Sequence, residues 1–279
     1  MKIISTLKQI KYKILTPLFP EMVHKWRVLD SSKYNMYSEE NEVYYAQEYL
    51  HVIKNKLQHF DNRKLRILDV GCGQGRLSIP LAEMDNTVEG VDLSSNAIQL
   101  AKKYASEKNI TNIHFDVKDI TKPFNDYKSE KYDCILCTEV IYMIENYEEV
   151  LAELYRMVKK DGMIFVAFRD KYYYLLHAIK NRRFEDAKLI LSNKNGVMGG
   201  YLNWHTNQEI LNLVSSFNLK NIELYGIGIC SGIEGDPLSS IVEPQNITPD
   251  EQEILFEIEM TLSTEYSNAG RYVLMSAIK

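Results

Sequence analysis

The run Leu68-Asp69-Val70-Gly71-Cys72-Gly73-Gln74-Gly75 joins an apolar strand-like stretch to alternating glycines, and no other feature restricts the fold as strongly. Alternating glycines let the backbone turn sharply and lie close to a ligand, because a Cβ at Gly71 or Gly73 would occupy the ligand's volume. A second run, Thr87-Val88-Glu89-Gly90-Val91-Asp92, closes on a carboxylate about twenty residues further on, the offset at which a nucleotide fold places its acidic residue. A carboxylate at a strand's carboxyl end can accept two hydrogen bonds from vicinal ribose hydroxyls. The two runs together predict a nucleotide pocket whose ligand carries a ribose.

A dinucleotide fingerprint would need a third glycine where this chain has Arg76. The register Asp69-x-Gly71-x-Gly73-x-Gly75 instead resembles motif I of the class I S-adenosylmethionine (SAM)-dependent methyltransferases. Three further pieces follow at family-like spacing: Asp92, the segment Val117-Lys118-Asp119-Ile120, and the segment Tyr132 to Ile141. The resemblance covers roughly residues 40 to 279 and implies a shell of cofactor contacts. Asp69, Gly71, Cys72, Gly73 and Gly75 would surround the methionine part, with Thr138 near its end. Asp92 would hold the ribose, Leu93 would lie against the adenine, and Asp119, with Ile120 beside it, would bond the adenine amino group. Tyr37 resembles the aromatics that close this site from above, within reach of a cation–π contact to the sulfonium.

With 279 residues and 45% hydrophobic content the chain can bury one substantial core, so a single elaborated α/β unit is expected. A net charge of −5 opposes general nucleic-acid binding, which needs a basic face. Charge is nevertheless uneven. Residues 1 to 28 carry six Lys and Arg against Glu21 alone, while residues 221 to 270 carry none. Four cysteines, with neither a secretory pattern nor a long apolar span, fit a cytoplasmic protein. Cys134-x-x-Cys137 has redox or metal spacing, but on a strand such positions face opposite ways, so both read as buried apolar residues and no metal is expected.

Strand-like runs at 65–70, 87–92, 112–117, 132–138 and 162–168 alternate with helices beginning near Gly75, Ser95 and Tyr147, the last stopping at Asp161-Gly162. A capping box at Thr206-Asn207-Gln208-Glu209, a strand at 222–229, a second box at Thr248-Pro249-Asp250-Glu251 and a strand at 271–278 complete the order. The expected fold is a three-layer, Rossmann-like α/β sandwich: a seven-stranded, mostly parallel sheet with an antiparallel last strand. An N-terminal helical cap (1–39) precedes the methyltransferase-like domain (40–279), which carries an insertion after strand five (170–205). The segment 230–247, rich in Gly, Ser and Pro, reads as a loop. Residues 1–15 form a basic amphipathic pattern, read either as a helix packed over the domain or as a peripheral membrane contact.

The resemblance implies a methyl group transferred in line to an oxygen, nitrogen or carbon atom of a small-molecule acceptor. The segment after strand four lacks the Asn/Asp-Pro-Pro-aromatic pattern of members that methylate nucleic-acid amino groups. Glu139 and Tyr142 are candidates to orient or deprotonate the acceptor, and His205, after the insertion and before a helix start, is the leading candidate base. Two alternatives stay open: a tRNA or protein methyltransferase docking through the basic segments 1–28 and 180–183, and a catalytically silent binding protein.

Overall fold

All six residues of strand β4 (Tyr132–Cys137) and four of five in β1 (Arg66–Val70) are buried, which requires cover on both faces of the sheet. The computed structural model describes Tyr37 and residues 40–279, apart from 62, 123 and 199. The amphipathic reading of residues 1–15 lies outside the described residues.

The strands β1, β2 (Thr87–Asp92), β3 (Ile113–Val117), β4, β5 (Val158–Phe168), β8 (Lys220–Ile227) and β9 (Tyr272–Ile278) form one sheet in the order β3-β2-β1-β4-β5-β9-β8. Pairing is parallel from β3 to β5, whereas β9 runs antiparallel to both β5 and β8. That is the expected sheet. Side chains alternate between two cores: Ile67, Cys134, Leu136, Phe165 and Leu274 face one, and Leu68, Ile135, Cys137, Val166 and Val273 face the other. Helices α1 (Glu40–Leu57) and α2 (Ser78–Glu83) cover the first core through Tyr49, Ile53 and Leu81. Helices α4 (Tyr147–Met157) and α7 (Asn207–Val214) cover the second through Leu151, Leu154 and Ile210. Helix α3 (Ser95–Glu107) closes a smaller cluster with Phe115. Cys134 and Cys137 thus lie on opposite faces, and burial raises both thiols, that of Cys137 to about 12.

Two boundaries differ from the sequence reading. Helix α2 starts at Ser78 rather than near Gly75, because Gly71, Gly73 and Gly75 all have positive φ and hold residues 71–77 as turns. Gly162 does not end a helix. It lies inside β5, where the register with β4 shifts and a Cβ would meet the Asp133 and Lys159 carbonyl oxygens at 2.9 Å. Both capping boxes form, at Thr206 with Glu209 for α7 and at Thr248 with Glu251 for α8 (Pro249–Leu262).

The segment after β5 folds as α5 (Lys171–Lys180), α6 (Phe184–Ser192) and a two-stranded ribbon, β6 (Asn195–Val197) with β7 (Tyr201–Asn203). The ribbon is not legible in the sequence, since three-residue strands carry too little alternation to detect. The segment 230–247 is irregular, with 3₁₀ turns at Leu238–Ser240 and Pro244–Asn246. Buried Asp236 anchors it by an ion pair to Arg271 at 2.9 Å. Among the described residues no helix is long and apolar enough to cross a membrane.

Candidate active site

The carboxyl ends of β1, β2, β3 and β4 surround one cleft, lined by Asp69, Gly71, Cys72, Gly73, Asp92, Leu93, Asp119, Ile120, Thr138 and Glu139. In a parallel sheet these ends sit at the crevice where neighbouring connections diverge, so the topology gathers residues up to seventy positions apart. The loop after β1 is tied to β2, with the Gly71 and Cys72 amides both donating to the Val91 carbonyl at 2.7 and 3.0 Å. Gly71 has φ 79°, and a Cβ there would collide with the Val140 side chain. The physical reason for this glycine is therefore a close protein neighbour as well as the turn, not only room for a ligand.

The acidic groups differ in their surroundings. Asp92 accepts from the Gly73 amide at 2.9 Å and the Ser94 amide at 2.8 Å. Burial raises its pKa, and the backbone donors only partly offset that rise. A carboxylate offers about four acceptor sites, so the Gly73, Ser94 and Leu93 backbone donors still leave capacity on this cleft-lining group. Asp69 is more deeply buried, accepts from the Ser78 hydroxyl, and is pushed up to about 6 by burial. Asp119 lies at the rim, where the Thr121 hydroxyl and amide hold its pKa below the usual value. Leu93 lines the cleft yet is 60% exposed, presenting an apolar wall to solvent, while Ile120 and Thr138 are buried.

Arg76, which the sequence marks only as a departure from a dinucleotide fingerprint, is also part of this lining. Its guanidinium joins Glu42 of α1 at 2.5 Å to Glu139 at 2.9 Å. Burial opposes its charge, but Glu139 and Glu42 outweigh that and raise its pKa. Glu139, two residues past β4, has φ 58°; its carboxylate is held by Arg76, and the turn Ile141–Met143 that follows has no side-chain cap. Leu77, Thr121, Val140, Met143 and Ile144 complete the lining. They follow strand ends without a motif of their own, and only the spacing between Asp119 and Thr121 hints at one of them.

Four expected site residues are not on the cleft. Gly75 packs between helix and sheet, where a Cβ would lie 3.0 Å from Phe115 and 3.1 Å from Ile79. Tyr37 donates to the Gly75 carbonyl at 2.6 Å and packs edge-on against Tyr104, on the α3 side of the loop. Tyr142 is fully buried, against Tyr272 and with the Arg169 guanidinium 5.2 Å from its ring, and burial raises its pKa. His205 is 1% exposed between Tyr147 and Phe168, and neither ring nitrogen has a hydrogen-bond partner. Burial lowers its pKa to about 4. Its place before a helix start agrees with the sequence, but the backbone bridge between Asp170 and His205 turns the imidazole into the core rather than toward the cleft.

A family model described as a methyltransferase domain matches residues 61–217, more than half of the chain. Over 120 residues the chain is 35% identical to a ubiquinone biosynthesis O-methyltransferase of Rickettsia typhi, covering 43% of this chain and 47% of that protein. The protein of the same name from Bartonella tribocorum is 36% identical over 111 residues, covering 40% and 43%. The matched stretch thus spans less than half the length of these curated relatives. Among solved structures, magnesium protoporphyrin IX methyltransferase from Synechocystis, with S-adenosylhomocysteine (SAH) bound, superposes with a TM-score of 0.56 at 16% identity, covering 96% of this chain and 99% of that one. A SAM-dependent methyltransferase from Thermotoga maritima, described as a possible histamine N-methyltransferase, gives 0.55 at 18% identity, with 95% and 98% covered. At such identities the likeness is one of fold.

Proposed function

Since the chain belongs to the methyltransferase-domain family, with the class I Rossmann-like SAM-dependent fold, we propose that its cleft holds SAM and directs in-line methyl transfer to a small-molecule acceptor. The catalytic unit of this reading is residues 40–279, with 170–205 as an insertion. The observation that carries it is Asp92: a strand-end carboxylate fixed by the Gly73 and Ser94 amides, with acceptor capacity left for vicinal hydroxyls. The rest of the lining fits the same group. Leu93 and Ile120 offer an apolar wall for a flat base beside the Asp119 carboxylate, and Asp69, Gly71, Cys72, Gly73 and Thr138 surround the other end.

When bound, SAM supplies a methyl group already activated on a sulfonium. The chain's own residues then have three tasks: to bind, to orient and to exclude water. Asp92 and Asp119 bind through their carboxylates. Val140, Met143 and Ile144 contribute apolar surface that keeps water out. Arg76, held between Glu42 and Glu139, fixes α1 against the cleft, so Glu139 acts as a positioning residue here rather than as a free base. Oxygen is the favoured acceptor atom within the O, N or C range, because the curated relatives are named O-methyltransferases. A cytoplasmic location is supported by four free cysteines, three of them buried.

Calorimetric titration tests the reading directly. SAM and SAH should bind and NADH should not. Failure of both SAM and SAH to bind would remove the proposal, and binding without methyl transfer to any phenol, amine or carboxylate panel would favour a silent binding protein.

A further inference from the structure

The insertion after β5 leaves an apolar surface uncovered. Twelve large apolar side chains are strongly exposed among the described residues, and five of them fall within the thirty residues 171–200. They are Val197 at 78%, Leu191 at 62%, Phe184 at 55%, Tyr172 at 51% and Ile179 at 46%. Tyr172 and Ile179 are seven apart on α5, and Phe184 and Leu191 are seven apart on α6, so each helix shows solvent one apolar stripe. Neither helix lacks an inward face. Tyr173, Tyr174 and Ala178 of α5 and Ala187 and Ile190 of α6 are buried in the core, so the outward stripes are additional to what folding needs.

The same thirty residues hold six Lys and Arg against two Asp and Glu, a surplus of four positive charges in a chain whose net charge is −5. Arg182 and Lys194 are exposed in the same segment, as is Lys188, which pairs with Glu185 at 2.8 Å. We propose that this face of the insertion docks on an anionic lipid bilayer. Aliphatic tips flanked by Lys and Arg match the interface, where apolar groups enter the acyl boundary and each nearby cation gains from the negative surface potential. A second copy on the same face would set two surfaces of equal positive charge against each other. Nucleic acid would leave Leu191, Ile179 and Val197 without a role, since phosphates reward only the cations.

The docked face is linked to the cleft. The insertion leaves β5 and returns at Asn203, whose side-chain amide donates to the carbonyls of Ile141 at 3.0 Å and Ile144 at 3.3 Å, and Ile144 lines the cleft. The segment that carries the docked face is therefore joined to the cleft wall at its C-terminal end.

Co-sedimentation of the full chain with vesicles tests this, using phosphatidylcholine alone and phosphatidylcholine mixed with phosphatidylglycerol. Binding to the mixed vesicles is expected, and it should weaken at least about tenfold in the triple variant Phe184→Ser, Leu191→Ser, Val197→Ser, because interfacial binding scales with apolar area. A second variant, Arg182→Ser with Lys194→Ser, should weaken it about tenfold, and added salt should do the same, because the cations act through a screened surface potential. Melting temperatures should be unchanged, since all five side chains are exposed. The proposal is overturned by no binding to mixed vesicles, by equal binding to neutral ones, or by undiminished binding of both variants, which would assign the contact to another segment. A dimer in light scattering that the triple variant abolishes would also overturn it.

Discussion

Replacing His205 by leucine should stabilise the protein, and more so in acid. The imidazole is 1% exposed, both nitrogens lack partners, and leucine has similar volume. At pH 7.5 the variant should lie between equal stability and about 2 kcal/mol more stable, since two unsatisfied polar atoms leave the core. The pH dependence follows from linkage. The unfolded chain takes up a proton near 6.5, whereas burial, opposed by Glu209 and aided by Lys194 and Lys171, holds the folded group at about 4. The parent therefore loses nothing above pH 6.5 and loses stability as pH falls from 6.5 to 4. At pH 5.0 the loss is about 2 kcal/mol, approaching about 3 kcal/mol below pH 4, because each tenfold difference in proton affinity between the folded and unfolded chain is worth about 1.4 kcal/mol. Other buried groups are perturbed too, with His177 lowered to about 4, Asp69 raised to about 6 and Asp170 raised to about 7. These are common to parent and variant and cancel in the difference. Urea unfolding of both proteins at pH 7.5 and 5.0 measures it. A gap that stays constant or narrows in acid would refute the buried neutral imidazole and restore His205 as a candidate base.

Asp92→Ala should weaken SAH binding at least about tenfold, on the order of 1.4 kcal/mol, for the loss of charge-assisted hydrogen bonds, with unchanged calorimetric affinity as the contrary result. Arg76→Met strips Glu42 and Glu139 of their shared guanidinium and should cost about 3–5 kcal/mol of stability, read by denaturant unfolding, with Glu139→Gln in the same chain recovering part of it. Gly71→Ala should cost about 1–3 kcal/mol through a positive φ, plus the clash with Val140, so Val140→Ala should rescue the steric share alone in a melting experiment. A thiol reagent should modify Cys230 first in the native chain, because it is half-buried whereas Cys72, Cys134 and Cys137 are buried, and burial raises all four thiols; equal rates at all four would contradict this.

Much of the fold is readable because its signals are local. The runs at 87–92 and 132–138 coincide with β2 and β4 to within a residue: β4 is buried throughout and nearly all apolar, and β2 alternates buried Val88 and Gly90 with half-buried Glu89 before closing on Asp92. Both capping boxes are four-residue chemistry and form as the sequence predicts. The positions expected to contact a cofactor, Asp69, Asp92, Leu93, Asp119, Ile120 and Thr138, line one cleft because each lies at or just past the carboxyl end of a parallel strand, and parallel strands end on the same edge. Gly162 misleads because a glycine after a helical pattern signals a stop equally well when it lies within a strand at a register shift.

The side chains read as catalytic are less legible, and the reason is directional. Position along the chain places His205 before α7 and Tyr142 after β4, but not which way either ring points. The Asp170–His205 bridge and the Tyr272 ring settle that, and both partners come from distant or inserted segments. Arg76 shows the converse: as a letter it only breaks a glycine pattern, and α1 has to pack on the first face of the sheet before Glu42 can meet it. Sequence alone determined the strand order's raw material and the cleft's acidic and glycine-rich edge, because backbone geometry and burial are written in local periodicity. Tertiary structure decided which side chains face that cleft and which surface the insertion leaves open, because both depend on contacts between segments that no local pattern encodes.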